Sequence, residues 1–322
     1  MTPRRMNLVI ATYPYGGNGA IASSYPDVGR WIGQTIAKAE KDERIGWVKE
    51  LQYVDTPIPM VRNKTILDAR SLGADLILML DSDTIPDCEI GEDKDALPFW
   101  ETAFNECYSH WEKGPLCIAA AYCGPSPISC VYGFHHSSWN NAGEVNQPDI
   151  SIEMYSRAHA EIMSGIQDAA AAATGCMLID IRCFDLTDPK HEYQRLLKEY
   201  GSPKIAESLT SPWFYYEWTD IYNATKASTE DVTFSRNLAM ASQEKLGYCC
   251  VKIAWQCWAA HVKQQIIRKP RSIKQDQVNE KYRTAVLENR KSNEQIIHFQ
   301  RPQRINFDEL VMHGNGHAVA VG

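Results

Sequence analysis

The chain lacks several of the patterns that announce a chemistry. Its 10 cysteines include no Cys-x-x-Cys pair, which argues against a structural zinc site. No apolar run reaches the roughly 18 residues of a membrane span. There is no Gly-x-Gly-x-x-Gly turn and no P-loop ending in Gly-Lys-Ser/Thr, so neither familiar glycine-rich phosphate cradle is written here. Residues 1–5 are basic but lead at once into a strand-like run, which is not the form of a signal peptide.

What is present is ordinary globular material: 322 residues, 44% hydrophobic and 23% charged, with a net charge of -7. The cysteines lie mostly in apolar surroundings and are expected to be buried free thiols in a reducing cytosol. The charge is unevenly spread. From Lys263 to Arg304 the bases Lys263, Arg268, Lys269, Arg271, Lys274, Lys281, Arg283, Arg290, Lys291, Arg301 and Arg304 face only Asp276, Glu280, Glu288 and Glu294. This asymmetry suits a polyanion contact or a solvated helix of mixed charge.

The informative stretch is Gly73-Ala74-Asp75-Leu76-Ile77-Leu78-Met79-Leu80-Asp81-Ser82-Asp83-Thr84. A short apolar run reads as a strand buried on both faces, as in a parallel sheet. The aspartates fall where it leaves the sheet, and open α/β sheets bind ligands at the carboxyl ends of their strands. In extended chain Asp81 and Asp83 point the same way. Like charges so close need a cation, and a hard divalent ion bridges carboxylate to phosphate oxygens. A solvated acidic turn is the plainer alternative.

Around this stretch the order is strand, helix, strand, helix, strand, which argues a parallel α/β sheet. Asn7–Thr12 reads as the first strand, followed by a Gly-rich loop, Tyr13–Gly19, that suits a base and ribose. A helix from Pro26 to about Lys41 buries Val28, Trp31, Ile32, Thr35, Ile36 and Ala39, and Trp47–Val54 forms the next strand. A short helix beyond Pro57 buries Val61, Ile66 and Ala69. Ala96–Trp111 is expected to be helical with Leu97, Trp100, Ala103, Phe104 and Cys107 inward, and Leu116–Tyr122 to be a strand. Residues 124–149 read as a long loop or hairpin, with His135-His136 in an exposed turn rather than on a metal. Glu153–Ala173 mixes helical and small residues. Ala173–Ile181 is a strand entered through Gly175. Pro212–Trp218 suits a stacking surface, a core segment or a hairpin.

Ser228-Thr229-Glu230-Asp231 opens a helix that runs to Leu246 and stops at Gly247. Thr229 is placed to cap it, with acids in the first turn as the helix dipole favours. Tyr248–Trp258 returns as a strand, followed by Ala259-Ala260-His261.

The block from Arg62-Asn63 to Asp81-Ser82-Asp83 resembles the Asp-x-Asp region of GT-A fold, family-2-like nucleotide-sugar glycosyltransferases. Thr174-Gly175, Glu230-Asp231 and His261 follow in the order that family uses. The resemblance covers Asn7 to about His261. It implies a Rossmann-like GT-A domain over residues 1–262 and a basic, helical extension over 263–322. It implies hexosyl transfer, inverting, from a UDP-sugar with Mn2+ or Mg2+. Asp231, then Glu230, would be the general base. Asp83 and His261 would be metal ligands, with Asp81 on the metal or the ribose. Thr12, Tyr13, Arg62, Asn63, Asp81, Ser82 and Gly175 would line the donor.

A basic tail on such a domain resembles the bacteriophage glycosyltransferases that modify hydroxymethylated pyrimidines in DNA. That implies a DNA acceptor such as 5-hydroxymethylcytosine and a cytoplasmic, or host-cytoplasmic, location without membrane contact. The alternatives are a soluble saccharide or surface-polymer acceptor, and a non-catalytic nucleotide-sugar-binding domain. A haloacid-dehalogenase-type phosphatase ranks below these, because it carries Asp-x-Asp on the first strand.

Overall fold

The structure is a computed structural model; it describes residues 4–14, 25–54, 57–124, 130–136, 152–210, 212–220, 225–262 and 266–267. The Gly-rich loop, most of residues 124–149 and nearly all of the basic tail lie outside the described residues.

The chain enters through β1 (Met6–Tyr13), α1 (Pro26–Ala39), β2 (Ile45–Gln52) and α2 (Ile58–Leu72). The α1 stripe packs as expected, with Val28, Trp31, Ile32, Thr35 and Ala39 buried. The α2 helix is longer than expected, and it ends at Gly73, whose φ of 72° needs the left-handed freedom of glycine. Then come β3 (Leu76–Asp81), β4 (Thr84–Ile85), α3 (Phe99–His110) and β5 (Cys117–Ala121). The apolar run of β3 is fully buried and only its terminal Asp81 is not.

Next are β6 (Val131–His136), β7 (Ile152–Tyr155), α4 (Arg157–Ile162), β8 (Ile166–Asp168), β9 (Ala171–Ala172) and β10 (Cys176–Asp180). The helices α5 (Cys183–Leu186), α6 (Pro189–Tyr200) and α7 (Pro203–Leu209) lead to a hairpin, β11 (Glu217–Asp220) and β12 (Thr225–Ser228). The described chain closes with α8 (Glu230–Leu246), β13 (Val251–Trp258), β14 (Ala260–Val262) and β15 (Ile266–Ile267).

The central sheet has 7 strands in the order β2-β1-β3-β10-β5-β13-β8. β1 runs parallel to β2 and β3, and β13 runs parallel to β5. β10 lies antiparallel between β3 and β5, and β8 antiparallel on the far edge. The fold is therefore α/β with a mostly parallel sheet flanked by helices, consistent with a Rossmann-like GT-A arrangement. Because β10 is reversed, its first residue sits beside the end of β3: Cys176 pairs with Leu80, one residue before Asp81. One edge of the sheet thus collects the end of β1, the end of β3, the start of β10 and the ends of β5 and β13.

Several expectations are corrected. Glu153–Ala173 is strand, short helix and two strands, because β7 and β9 pair with β6 in a second sheet while β8 pairs with β13 at the edge of the central one. His135 and His136 belong to β6, paired with Glu153 and Ile152, and not to an exposed turn. Leu97 is 41% exposed and precedes α3, while Trp100, Ala103, Phe104 and Cys107 are buried as expected. All ten cysteines are free thiols, seven of them buried. Among the described residues no helix is long and apolar enough to cross a membrane.

Candidate active site

The strand β3 does not stay extended through both aspartates. The chain turns at Ser82-Asp83 before β4, so the two carboxylates leave in different directions. This corrects the expectation that they point the same way: a strand's two-residue repeat holds only while the strand lasts.

Asp81 turns inward. Its Oδ1 accepts a 2.8 Å hydrogen bond from Arg62 Nη2, and Arg62 Nη1 donates to Glu230 Oε1 at 2.5 Å. The Arg62 side chain is 3% exposed and that of Glu230 8%, against 29% for Asp81. One guanidinium from α2 therefore ties the end of β3 to the first turn of α8. Arg62 also lies against the rings of Tyr13 and Phe214, at 5.6 and 5.9 Å. Burial raises the carboxyl pKa of Asp81 and of Glu230 above the ordinary range, and Arg62 partly offsets it in both. Nearby acids push the same way as burial: Asp83 and Asp231 on Asp81, Asp231 and Asp81 on Glu230. Burial opposes the Arg62 charge, but the facing carboxylates outweigh it and keep the guanidinium protonated.

Asp83 turns to the other side and is no more exposed than Asp81, its side chain being 27% exposed. Its Oδ2 stands 3.4 Å from His261 Nε2. The pair is built by β4, which runs antiparallel to β14 with His261 opposite Thr84, while the Val262 N–H donates to the Asp83 carbonyl at 2.7 Å. The His261 ring is boxed by Tyr122 and Tyr132, with centroids at 5.5 and 5.9 Å. His261 Nδ1 is buried without a partner. The tyrosines were missed in the sequence. Tyr122 directly follows β5, and the strand-end rule that pointed to Asp81 would have found it.

Asp231 sits beside Glu230 at the start of α8. Its Oδ1 accepts from the Thr229 hydroxyl at 2.5 Å and the Val232 N–H at 2.8 Å. Thr229 holds the cap position but makes no side-chain cap bond, its hydroxyl being given to Asp231.

The remaining expected residues surround this edge. Gly175 allows a close approach: a Cβ there would lie 2.7 Å from the Tyr122 hydroxyl oxygen and 3.0 Å from Thr84 Oγ1. The Gly175 N–H donates to Tyr122 Oη at 3.2 Å, and its carbonyl accepts from the Asp81 N–H. Tyr13 is paired with Asp81 across the β1–β3 ladder, and its hydroxyl meets Thr65. Thr12 is buried with an unpartnered Oγ1. The Ser82 carbonyl accepts from Tyr25. Asn63 braces a neighbouring segment instead, its carboxamide exchanging hydrogen bonds with the Phe214 backbone.

Of the three expected metal ligands, Asp83 and His261 are together and Asp81 is engaged by Arg62. Among the described residues no group of three or more His, Cys, Asp or Glu is arranged to hold a metal by itself. A carboxylate oxygen and an imidazole nitrogen would be a partial donor set for such a cation, to which a bound substrate would have to add oxygens.

No protein-family model matches the chain, and no curated protein matches it in sequence. Among solved structures it is similar to A197 from STIV, at 10% identity and a TM-score of 0.37, covering 83% of this chain and 96% of that one. It is similar to a putative glucose-1-phosphate thymidylyltransferase from Bacillus anthracis, at 10% identity and TM-score 0.28, covering 56% and 75%. It is also similar to a glycosyltransferase involved in glycosylation of the major capsid of PBCV-1, at 10% identity and TM-score 0.21, covering 62% and 77%. These weak neighbours include a glycosyltransferase and a nucleotidyltransferase. Likenesses this distant carry none of the functional reasoning that follows.

Proposed function

We propose that the protein transfers a sugar from a nucleotide sugar to an acceptor hydroxyl. The observation that carries this is the meeting, at one sheet edge, of Asp81-Ser82-Asp83, Glu230-Asp231 and His261, three stretches far apart in the chain. Three carboxylates, Asp81, Glu230 and Asp231, act on the one buried arginine, with Asp83 close by, and that excess of negative charge is a reason to hold a cation.

Asp83 and His261 would hold the divalent metal, whose chemistry is Lewis-acid stabilisation of the departing diphosphate. Arg62 fixes Asp81 and Glu230 and so sets the distance between β3 and α8. Glu230, committed to that ion pair, leaves Asp231 as the carboxylate able to take a proton from the acceptor hydroxyl, which must come within hydrogen-bond reach. Thr12, Tyr13 and Gly175 would lie beneath the nucleoside end of the donor, UDP in the first instance. Attack by an activated acceptor on the face opposite the leaving diphosphate would invert the anomeric centre.

The acceptor reading rests on the sequence of the basic tail. A DNA acceptor carrying a hydroxymethyl pyrimidine would be gripped through its phosphates, with the base turned out of the stack. A saccharide acceptor is the second reading. The test is a panel of UDP-, GDP- and dTDP-sugars with Mn2+, offered hydroxymethylated DNA, plain DNA and oligosaccharides, with products identified by mass spectrometry. Sugar on the hydroxymethylated base alone supports the first acceptor. Neutralising Arg268, Lys269 and Arg271 together should then weaken DNA binding across sequences and flatten its salt dependence. No turnover or hydrolysis of any donor would leave a non-catalytic binding domain.

A further inference from the structure

A second candidate site lies away from the carboxylates. A cavity of about 310 Å³ opens between α5, α6, α8 and the segment before β11, at the lower end of the range for small-molecule sites. The segment is alternately sided. Phe214 is fully buried, lies against Arg62, and its backbone is held by Asn63. Its neighbours Trp213 and Tyr215 line the cavity on the other side. Trp213 is held by a 3.0 Å bond from its Nε1 to the Phe184 carbonyl, and Tyr215 Oη accepts from Asn237 at 3.1 Å.

The polar wall suits hydroxyl groups. Thr187 Oγ1 is buried there with no partner, and the His191 imidazole and Asn237 carboxamide stand on the same wall. The charges at the rim cancel and are already engaged. Arg195 pairs with Glu192 and Glu199, Lys245 donates to the Leu186 carbonyl, and Asp188 caps α6 and faces Arg70. Among the described residues the two acids Asp188 and Glu192 balance the two bases Arg195 and Lys245, so the lining offers a phosphate or carboxylate ligand no net positive charge. A neutral polyhydroxylated ring would find aromatic rings for its C–H face and donors and acceptors for its hydroxyls. A more open hollow of about 540 Å³, lined by Pro189, Tyr193, Glu207, Thr210 and Pro212, adjoins it through Pro212. That continues an aromatic floor past a single ring.

We infer that this cavity binds a neutral oligosaccharide, at a site separate from the one proposed to carry the transfer. Binding here does not depend on that transfer reaction. It would hold a glycan on the back of the segment whose front face braces Arg62 and Asn63.

The test uses the full chain on an array of neutral and acidic oligosaccharides, with the best neutral ligand then titrated by calorimetry. Trp213→Leu should raise its Kd by about tenfold through lost stacking. Because Trp213 also packs on Phe184, His191→Ala and Thr187→Val are titrated beside it; both should weaken binding with melting temperatures unchanged. Asp83→Ala should bind the oligosaccharide as the parent does, which separates this site from the transfer site. Absence of any neutral ligand overturns the inference. So does preference for acidic glycans or DNA, affinity untouched by all three cavity variants, or binding lost in Asp83→Ala.

Discussion

The two aspartates of Asp-Ser-Asp are one residue apart and live in different worlds. Asp81 belongs to an inner, buried assembly with Arg62 and Glu230, in which every charge meets an opposite one. Asp83 belongs to a second, outer pair only in the sense that Arg62 does not reach it: His261 stands 3.4 Å away with two tyrosine rings about it. A buried ion pair of this kind adds little net stability relative to an apolar replacement, yet removing one partner is severe because the other is left charged and buried. The outer pair does not tie β3 to α8. The inner assembly should therefore answer to stability measurements and the outer one to activity measurements.

The largest contrast is expected from Asp83→Ala. Transfer should be abolished while the unfolding free energy moves by no more than about 0.5 kcal/mol, as for a site outside the core. Chelator on the parent protein should do the same, and added Mn2+ or Mg2+ should restore turnover. Full activity in chelator removes the metal from the proposal.

Next comes Asp231→Asn, which keeps shape and removes a base. Transfer should fall roughly 10²–10⁴-fold, with nucleotide-sugar affinity retained in calorimetry. If Glu230→Gln kills transfer and Asp231→Asn does not, the roles of the neighbours are exchanged.

Arg62→Met breaks the inner assembly. It should cost about 3–5 kcal/mol in denaturant melts, well beyond the effect of Asp83→Ala. It should also change the pH profile of stability. Burial already raises Asp81 and Glu230, and Arg62 is what restrains them. An acid whose folded pKa lies above its unfolded one holds its proton longer in the folded chain, so its contribution is present at low pH and lost as pH rises through the folded value. Without Arg62 those values climb further, and the variant should lose stability more steeply than the parent as pH rises above the ordinary carboxylate range. Parallel profiles would mean that the carboxylates have found another partner.

The smallest effect is expected at the seam between the two regions. Gly175→Ala would press a methyl group on Tyr122, at 2.7 Å from its hydroxyl oxygen, costing about 1–3 kcal/mol. Because Tyr122 boxes His261, donor turnover in the presence of metal should fall too. Gly175→Ala paired with Tyr122→Phe would still leave the ring in the way, whereas Tyr122→Leu should relieve the clash.

Much of this was legible along the chain. A continuous apolar run ending in acids announces a buried strand with a ligand-facing end, and β3 is that strand. The amphipathic stripe of α1 and the acid-first, glycine-last pattern of α8 gave both helices nearly to the residue. What failed were segments whose small residues carry little periodic signal, such as Glu153–Ala173, where pairing with a second sheet decided the conformation. The sequence also determined which residue types stood ready at the site, because strand ends and helix starts are local features. Only the tertiary structure decided which met. Arg62 reaching Glu230 across 168 positions, and the turn that sends Asp83 to His261 instead of alongside Asp81, depend on the reversed β10 and on the β4–β14 ladder. No local propensity encodes such long-range pairings, which form only when the whole sheet has closed.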